Sequence, residues 1–265
     1  MKSMSNLTLS ILLGWAAGYA VNYLADVLPA TRRLSRPTCR HCGAPYSLGG
    51  YLAGGGCGQC GRRHSWRFLV VLVLMASASG FISIMPPARL GYYLGLILLT
   101  YFGTVFVIDA EHRLILHPTS IVGAILGLGL GWLSHGLTAT LLGGLAGFLI
   151  MLALYVLGAW FSRMRARRMQ AAGQAFDGEE ALGQGDVMLA IVLGLLLGWP
   201  LIWFGLLLGI LLAGAYGILL VVWTLAARRN HQEALRVFMP YGPFLLLSAS
   251  LIIFLPHWLA TLLPR

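Results

Sequence analysis

The chain has 265 residues, of which 58% are hydrophobic and only 10% are charged. A soluble domain carries about 25% charged residues, so this composition excludes an ordinary soluble protein. The formal net charge is +10, but the basic residues are scattered among short loops rather than interleaved with aromatic side chains. Nucleic acid is therefore not an expected partner, whereas the lipid bilayer is.

Apolar segments with few charges recur along the whole chain. An uncharged stretch of about 20 residues is long enough to cross the hydrocarbon core of a bilayer. The sequence predicts eight spans, at residues 5–28, 67–86, 90–108, 118–134, 137–161, 185–199, 201–227 and 239–262. The sixth span is short, and a polar, wet site at its start would explain its length. The predicted fold is an all-α polytopic membrane protein with about eight transmembrane helices.

The connections between these spans differ in charge. Those that follow odd-numbered spans contain 15 of the 18 Lys and Arg residues, and Lys2, Arg89 and Arg265 are the other three. The positive-inside rule places the Arg-rich connections in the cytoplasm and both termini outside. The expected organisation is a first transmembrane helix (1–28), a cytoplasmic four-cysteine module (29–66) and a membrane domain of about seven helices (67–265).

The predicted cytoplasmic module contains all the cysteines of the chain. Two Cys-x2-Cys pairs are separated by a Gly-rich spacer of 14 residues, and a glycine follows each pair; the four are Cys39, Cys42, Cys57 and Cys60. Four thiolates at this spacing predict a closed, tetrahedral and therefore structural Zn²⁺ site in a zinc-ribbon-like insertion. Because the spacer has little apolar content, the metal is expected to supply most of the folding energy.

Other interpretations of the four cysteines are two disulfides, four unrelated thiols, or a site that takes up iron. A cytoplasmic location disfavours the disulfides, since thiols stay reduced in that compartment.

Two aspartates lie at the ends of apolar spans on the predicted cytoplasmic face. Asp109 ends the third span, and Asp186 follows Gly183-Gln184-Gly185 and opens the sixth. Carboxylates at the edge of hydrophobic segments cost free energy and tend to have a function. Two carboxyl groups that share a proton can activate water and polarise a peptide carbonyl. The pattern predicts an aspartyl protease site formed by Asp109 and Asp186.

The neighbours of the two aspartates have expected roles as well. Gly183 and Gly185 are expected to let the backbone approach an extended substrate closely and to adopt angles closed to other residues. The alternative for Asp186 is an ordinary helix N-cap. Glu111 follows Asp109 closely and either tunes the pKa of Asp109 or ends the helix in water. Helix termination is the simpler explanation for His112 and Arg113.

The order of these motifs resembles the type IV prepilin peptidases, which are membrane aspartyl proteases with a Gly-x-Gly-Asp motif. The resemblance covers nearly the whole chain and implies that Asp109 and Asp186 occupy the two catalytic positions. The resembling segments are Gly18-Tyr19-Ala20-Val21-Asn22, the two Cys-x2-Cys pairs, Ile108-Asp109-Ala110-Glu111, Gly183-Gln184-Gly185-Asp186 and Pro240-Tyr241-Gly242-Pro243-Phe244.

The resemblance implies a multi-pass enzyme of the bacterial inner membrane that cuts the basic leader from type IV prepilins or pseudopilins at the cytoplasmic face. Full bacterial members also methylate the new amino terminus with S-adenosylmethionine, an activity associated with the cysteine-containing region. After Cys60, the family's Arg-Tyr-Pro-Leu-Val-Glu becomes Arg67-Phe68-Leu69-Val70-Val71-Leu72, without the acidic residue. A peptidase that lacks methyltransferase activity is therefore one alternative.

A second alternative belongs to another class, a non-enzymatic zinc-bearing membrane protein that helps to assemble a pilus or secretion complex. A transporter is disfavoured because the acidic pair is predicted at one membrane face rather than at the midplane, and because the sequence has no internal repeat.

Overall fold

The computed structural model describes residues 2–39, 41–52, 55–62, 65–171, 183–226 and 240–256. Within these residues it contains helices, no strand, and one isolated bridge between Thr38 and Pro45. The all-α class is confirmed. The nine helices of the described residues are α1 (Lys2–Thr31), α2 (Leu48–Leu52), α3 (Trp66–Ile84), α4 (Gly91–His112), α5 (His117–His135), α6 (Leu137–Ala171), α7 (Gln184–Leu197), α8 (Leu201–Ala226) and α9 (Gly242–Phe254).

All eight predicted spans coincide with a helix, and α2 lies between the cysteine pairs. The protein is a multi-pass membrane protein. α7 and α9 are shorter apolar helices, and residues 257–262 of the last predicted span lie outside the described residues. Among the described helices, five are long and apolar enough to cross a membrane, over Leu7–Thr31, Trp66–Ile84, Gly91–His112, Leu137–Arg168 and Leu201–Thr224.

Two helices continue past the predicted ends of their spans. α1 runs through Pro29 to Thr31, and α6 runs ten residues beyond position 161, to Ala171. The sequence beyond 161 alternates arginines with Met, Ala and Gln, which are all good helix formers. The first charges therefore mark the end of the apolar segment of α6 and not the end of the helix.

The chain forms two compact units, one of residues Met1–Thr119 with Ile253–Arg265 and one of residues Ser120–Ile252. In the first unit α1 packs along α3 and also contacts α4. A Cβ atom added to Gly14 of α1 would lie 2.7 Å from the Met75 carbonyl oxygen, so the backbones of α1 and α3 approach closely. One core cluster of this unit contains Ala17, Val21, Val71 and Met75.

In the second unit the main contact is between α6 and α7, and α8 packs on both. Gly143 of α6 and Gly194 of α7 face each other, and a Cβ atom on either would overlap the carbonyl oxygen of the other. Gly147 meets the Ala190 carbonyl oxygen in the same way. Because these residues lack side chains, α7 lies directly against the backbone of α6, and this packing sets the position of its first turn.

α7 is mostly enclosed by protein. A helix that is hydrophobic on all sides is typically buried. Its 14 residues correspond to about 21 Å of helix, which is less than the roughly 30 Å of a bilayer core. The buried residues of α7 are Val187, Leu189, Ala190, Val192, Leu193, Gly194, Leu195, Leu196 and Leu197.

Candidate active site and metal centre

Asp109 lies in the last turn of α4, in the first unit. Its residue surface is only 4% exposed, although α4 ends three residues later. Arg113 adopts a left-handed conformation (φ 54°, ψ 39°) and donates its backbone N–H to the Asp109 carbonyl oxygen at 2.8 Å. Arg113 is thus the helix cap, as helix termination predicts. A carboxyl group buried to this degree is costly in free energy, which favours a role in function.

Glu111 is held in an ion pair near the end of α4. Its Oε2 atom lies 3.1 Å from Arg67 Nη1, and Arg67 Nη2 lies 2.6 Å from Asp26 Oδ1. In addition to the two roles considered for Glu111, its carboxylate pairs with the guanidinium at the start of α3. The hydroxyl of Tyr51 donates to the second oxygen of Asp26 at 2.7 Å.

Asp186 is the third residue of α7, in the second unit, and is half-buried. Its Oδ2 atom accepts the backbone N–H of Gly183 at 3.2 Å, and its own N–H donates to the Gly183 carbonyl oxygen at 3.1 Å. Gly183 is therefore the N-cap, and the Asp186 carboxylate reaches back to it from inside the helix. The alternative that Asp186 is itself the N-cap is therefore corrected. Asp186 lies in the first turn of α7, and its carboxylate accepts the backbone N–H of the N-cap residue, Gly183.

The conformational argument for the two glycines is wrong. Gly183 has φ −85° and ψ 151°, an extended conformation open to any residue, and Gly185 lies inside helix α7. Neither is among the glycines with positive φ in the described residues. A Cβ atom on Gly183 would meet only Asp186 Oδ2, at 3.7 Å. The N-cap position itself favours glycine over alanine and the branched apolar residues, and close approach of a substrate stays a prediction.

Tyr241 is a neighbour of Asp186 that the sequence did not single out by role. It precedes α9, in the motif Pro240–Phe244, and lies in the second unit. Its hydroxyl is close enough to interact electrostatically with the Asp186 carboxylate.

The four cysteines come together in one cluster, as predicted. Their sulfur atoms all lie within 4.8 Å of one another. The Cys39–Cys60 and Cys42–Cys57 sulfur distances are 3.7 and 3.5 Å, far longer than a disulfide bond. They approach the roughly 3.8 Å edge of a tetrahedron with zinc–sulfur bonds of about 2.3 Å. All four are free thiols, so this set of donors fits one metal ion with thiolate ligands and excludes the two disulfides.

The two cysteine turns repeat one hydrogen-bond pattern. Cys39 N–H donates to the carbonyl oxygen five residues on, and its own carbonyl oxygen accepts the N–H of Gly43; Cys57 and Gly61 repeat both bonds. Gly43 and Gly61 have φ of 73° and 67°, the left-handed conformation in which glycine is favoured. The glycine after each pair therefore closes the turn.

Backbone amides inside the turns face the sulfur atoms. The N–H groups of Cys42 and then His41 lower the pKa of the Cys39 thiol to about 6. The N–H groups of Cys60 and Gln59 likewise lower the pKa of Cys57. The first cysteine of each turn thus favours the thiolate form that binds a metal ion.

The two aspartates belong to different units, Asp109 to the first and Asp186 to the second. Their convergence on one peptide bond stays a prediction. The residues that sequence reasoning missed are Asp26, Tyr51 and Arg67. The sequence does contain a sign of the Asp26–Arg67 ion pair. Asp26 is an acid near the predicted end of one span, and Arg67 is a base at the predicted start of the next.

Comparison with known proteins gives two similarities. The sequence model of the Type IV leader peptidase family matches residues 93–218, which include both aspartates. A curated relative, the prepilin leader peptidase/N-methyltransferase of Pseudomonas aeruginosa, is 27% identical over 222 residues, which cover 80% of this chain and 68% of the relative. No solved structure matches the chain. These similarities confirm the resemblance to the type IV prepilin peptidases.

Proposed function

We propose that this chain, which matches the type IV leader peptidase family over residues 93–218, is a membrane aspartic endopeptidase that removes the basic leader of type IV prepilins or pseudopilins. One observation carries the proposal: Asp109 and Asp186 both lie inside the matched segment, and each lies in the terminal turn of an apolar helix. The Arg-rich connections of the chain support cleavage at the cytoplasmic face.

In the proposed reaction one carboxylate accepts a proton from water as the water oxygen attacks the scissile carbonyl carbon. The other carboxyl group is protonated and donates its proton to the carbonyl oxygen. When the C–N bond breaks, one proton goes to the leaving nitrogen and another returns to the pair, so water is added across the bond and the pair regains its starting state. The two residues titrate as a unit, and neither is assigned alone as acid or base.

The proposed substrate contact is the first turn of α7. An extended prepilin segment would pass along Gly183 and Gly185, next to the carboxylate of Asp186. The exposure of Gly183 supports this placement, since no side chain at that position covers the approach to the carboxylate. Cleavage just before the apolar helix of the prepilin would leave that helix in the bilayer.

We further infer that Cys39, Cys42, Cys57 and Cys60 hold one Zn²⁺ ion. The spacing of the two pairs and the separations of the sulfur atoms support this inference. When bound, the ion would supply folding energy to the module, because four protein ligands leave no coordination position for substrate or water.

The proposal is tested by measuring leader cleavage with the purified protein in detergent. The substrate is a type IV prepilin from the organism that encodes this chain. Asp109→Asn and Asp186→Asn keep the shape of each side chain but cannot hold a shared proton. Each single change is expected to abolish cleavage while the protein still inserts. Cleavage at the wild-type rate by either variant would remove that residue from the mechanism. A wild-type chain that cuts no prepilin would favour the non-enzymatic assembly protein.

A second candidate activity is N-methylation of the new amino terminus, which the name of the Pseudomonas aeruginosa relative includes. Mass spectrometry of the pilin processed in the presence of S-adenosylmethionine distinguishes the two possibilities. A methylated terminus supports the bifunctional enzyme, and an unmethylated one supports the peptidase that lacks methyltransferase activity.

A further inference from the structure

The last turn of α4 is tied to two other helices of the first unit by one guanidinium group. Arg67, at the start of α3, contacts Asp26 near the end of α1 at 2.6 Å and Glu111 of α4 at 3.1 Å. The side chains of Arg67, Asp26 and Glu111 are 17%, 13% and 27% exposed. Water therefore screens the attraction between their charges only in part. A planar guanidinium can hold two carboxylates in fixed directions, which an ammonium group cannot do equally well.

The cysteine module contacts the same group of residues through Tyr51 of α2. The hydroxyl of Tyr51 donates to Asp26 at 2.7 Å, on the carboxylate oxygen that Arg67 does not occupy. The ring of Tyr51 is buried and packs edge-on against Phe68, the residue after Arg67, with a centroid distance of 5.6 Å. Tyr51 therefore contacts both the acid that holds Arg67 and the side chain of the residue that follows Arg67.

Tyr46 connects Tyr51 to the cysteine cluster. It packs against the buried cluster of Cys39, Ala44 and Cys57, and its ring lies 5.8 Å from that of Tyr51. Contacts thus run without a gap from the metal ligands to the end of α4, two residues beyond Asp109. The members in order are the cysteines, Tyr46, Tyr51, Asp26, Arg67 and Glu111.

We propose that Arg67 is a positioning residue, which fixes the last turn of α4, and with it Asp109, to the docked cysteine module through Asp26 and Glu111. This inference rests on the proposed function, in which Asp109 is catalytic. The last turn of a helix lacks half of its backbone hydrogen bonds and opens more readily than the interior. The Arg67–Glu111 pair restrains that turn, and Tyr51 restrains the pair.

Kinetics of leader cleavage test the role of Arg67. Arg67→Gln removes the bridge and is expected to lower kcat about 100-fold, since a small misplacement of a catalytic group costs this much. KM is expected to stay at the wild-type value, because the proposed role of Arg67 involves no contact with the substrate. Arg67→Lys keeps the positive charge but not the planar guanidinium that contacts two carboxylates. It should therefore recover part of the lost kcat. Arg36→Gln removes one exposed arginine five residues after the end of α1 and should leave kcat unchanged.

A tyrosine pair separates the network from general packing. Tyr51→Phe removes only the hydroxyl that donates to Asp26 and is expected to lower kcat by up to about tenfold. Tyr23→Phe is the matched control, because the Tyr23 hydroxyl donates to the Ser35 carbonyl oxygen at 2.9 Å in the same region, outside the network. It should leave kcat unchanged. This pair also decides the matter if Arg67→Gln does not fold.

Hydrogen–deuterium exchange gives a readout that does not depend on cleavage. Exchange at residues 108–113 should rise in Arg67→Gln and Tyr51→Phe but not in Arg36→Gln or Tyr23→Phe. Loss of kcat in Arg67→Gln and Glu111→Gln should not add in the double variant. Additive losses, or wild-type exchange in both network variants, would overturn the inference. A chain that cleaves no prepilin but shows the exchange pattern would refute the proposed function and leave the restraint of α4 intact.

Discussion

The carboxylate of Asp186 has two separate duties in this protein. It is the proposed partner of Asp109 in hydrolysis, and it also accepts the N–H of Gly183 at the start of α7. The first duty needs an ionisable group, whereas the second needs only an oxygen atom in the same place. Substitutions at this one position can therefore separate catalysis from the stability of the helix.

Asp186→Asn and Asp186→Ala are both expected to lose cleavage, but only the alanine variant should lose stability. Asparagine keeps a side-chain oxygen for the Gly183 N–H, and alanine does not. The expected cost of alanine is about 0.5–1.5 kcal/mol of unfolding free energy. Thermal unfolding in detergent measures it, with Asp186→Asn as the matched control. An asparagine variant as unstable as the alanine variant would show that the charge, not the hydrogen bond, holds the helix start.

Gly183→Ala tests the approach of substrate to this site. The conformation of Gly183 is open to alanine, and the new Cβ atom would meet only Asp186 Oδ2, at 3.7 Å. Alanine restricts the unfolded chain more than glycine does but is a poorer N-cap residue, so stability should change by less than about 1 kcal/mol in either direction. Cleavage should fall, because the methyl group occupies the space proposed for the substrate backbone. Gly129→Ala in α5, where the structure has open space, is the control. Full activity of Gly183→Ala would exclude close approach at that position.

At the scale of whole helices, the contact of α6 with α7 depends on backbone touching backbone. Gly143, Gly147 and Gly194 leave no room for a side chain at the crossing. In a bilayer the hydrophobic effect does not drive helices together, so packing of this kind supplies much of the attraction. The position of the α7 start, and hence of Asp186, follows from this contact.

Gly194→Ala is expected to destabilise the protein by about 1–3 kcal/mol, because the added methyl group overlaps the Gly143 carbonyl oxygen. Gly214→Ala in α8 makes the same chemical change where nothing lies within 4 Å, and it should be neutral or stabilising by up to about 1 kcal/mol. Thermal unfolding of the two variants in the same detergent compares them. Equal melting temperatures would contradict the close crossing.

Helix type and order follow from the sequence more directly than helix ends do. Stretches without charge predicted all eight long or apolar helices, because a bilayer core rejects charge and requires satisfied backbone groups. The same rule predicted that α6 ends at residue 161, but the helix continues through its arginines to Ala171. Charge reports where lipid ends, and helix propensity reports where the helix ends.

For the molecule as a whole, the local parts of the site were predictable and the long-range parts were not. The cysteine cluster is confirmed because two short, regular turns determine it. In the Arg67 network, Arg67 lies 41 positions from Asp26 and 44 positions from Glu111 in the sequence. No periodic pattern in the sequence predicts contacts over such separations. The prediction of special backbone angles at Gly183 and Gly185 was wrong for another reason. A glycine can be present because a side chain would take up space, and not because of its backbone angles.

Metal content is expected to follow the cysteine cluster. Purified protein should contain about one metal ion per chain, and Cys39→Ser combined with Cys57→Ser should contain none. Elemental analysis of the detergent-purified protein measures both. His41→Asn is the control, because His41 lies between two ligands but outside the cluster of sulfur atoms. Metal-free wild-type protein, or loss of metal in His41→Asn, would contradict the four-thiolate site.

The burial of α7 has a consequence for how the enzyme meets membranes of different thickness. Helices that face lipid adjust to hydrophobic mismatch by tilting or by deforming the bilayer around them. α7 has nine of its 14 residues buried against other helices, so acyl chains have little surface on which to act. Lengthening the acyl chains of reconstituted vesicles should therefore tilt α6 and α8 before it changes the surroundings of Asp186 within its own unit.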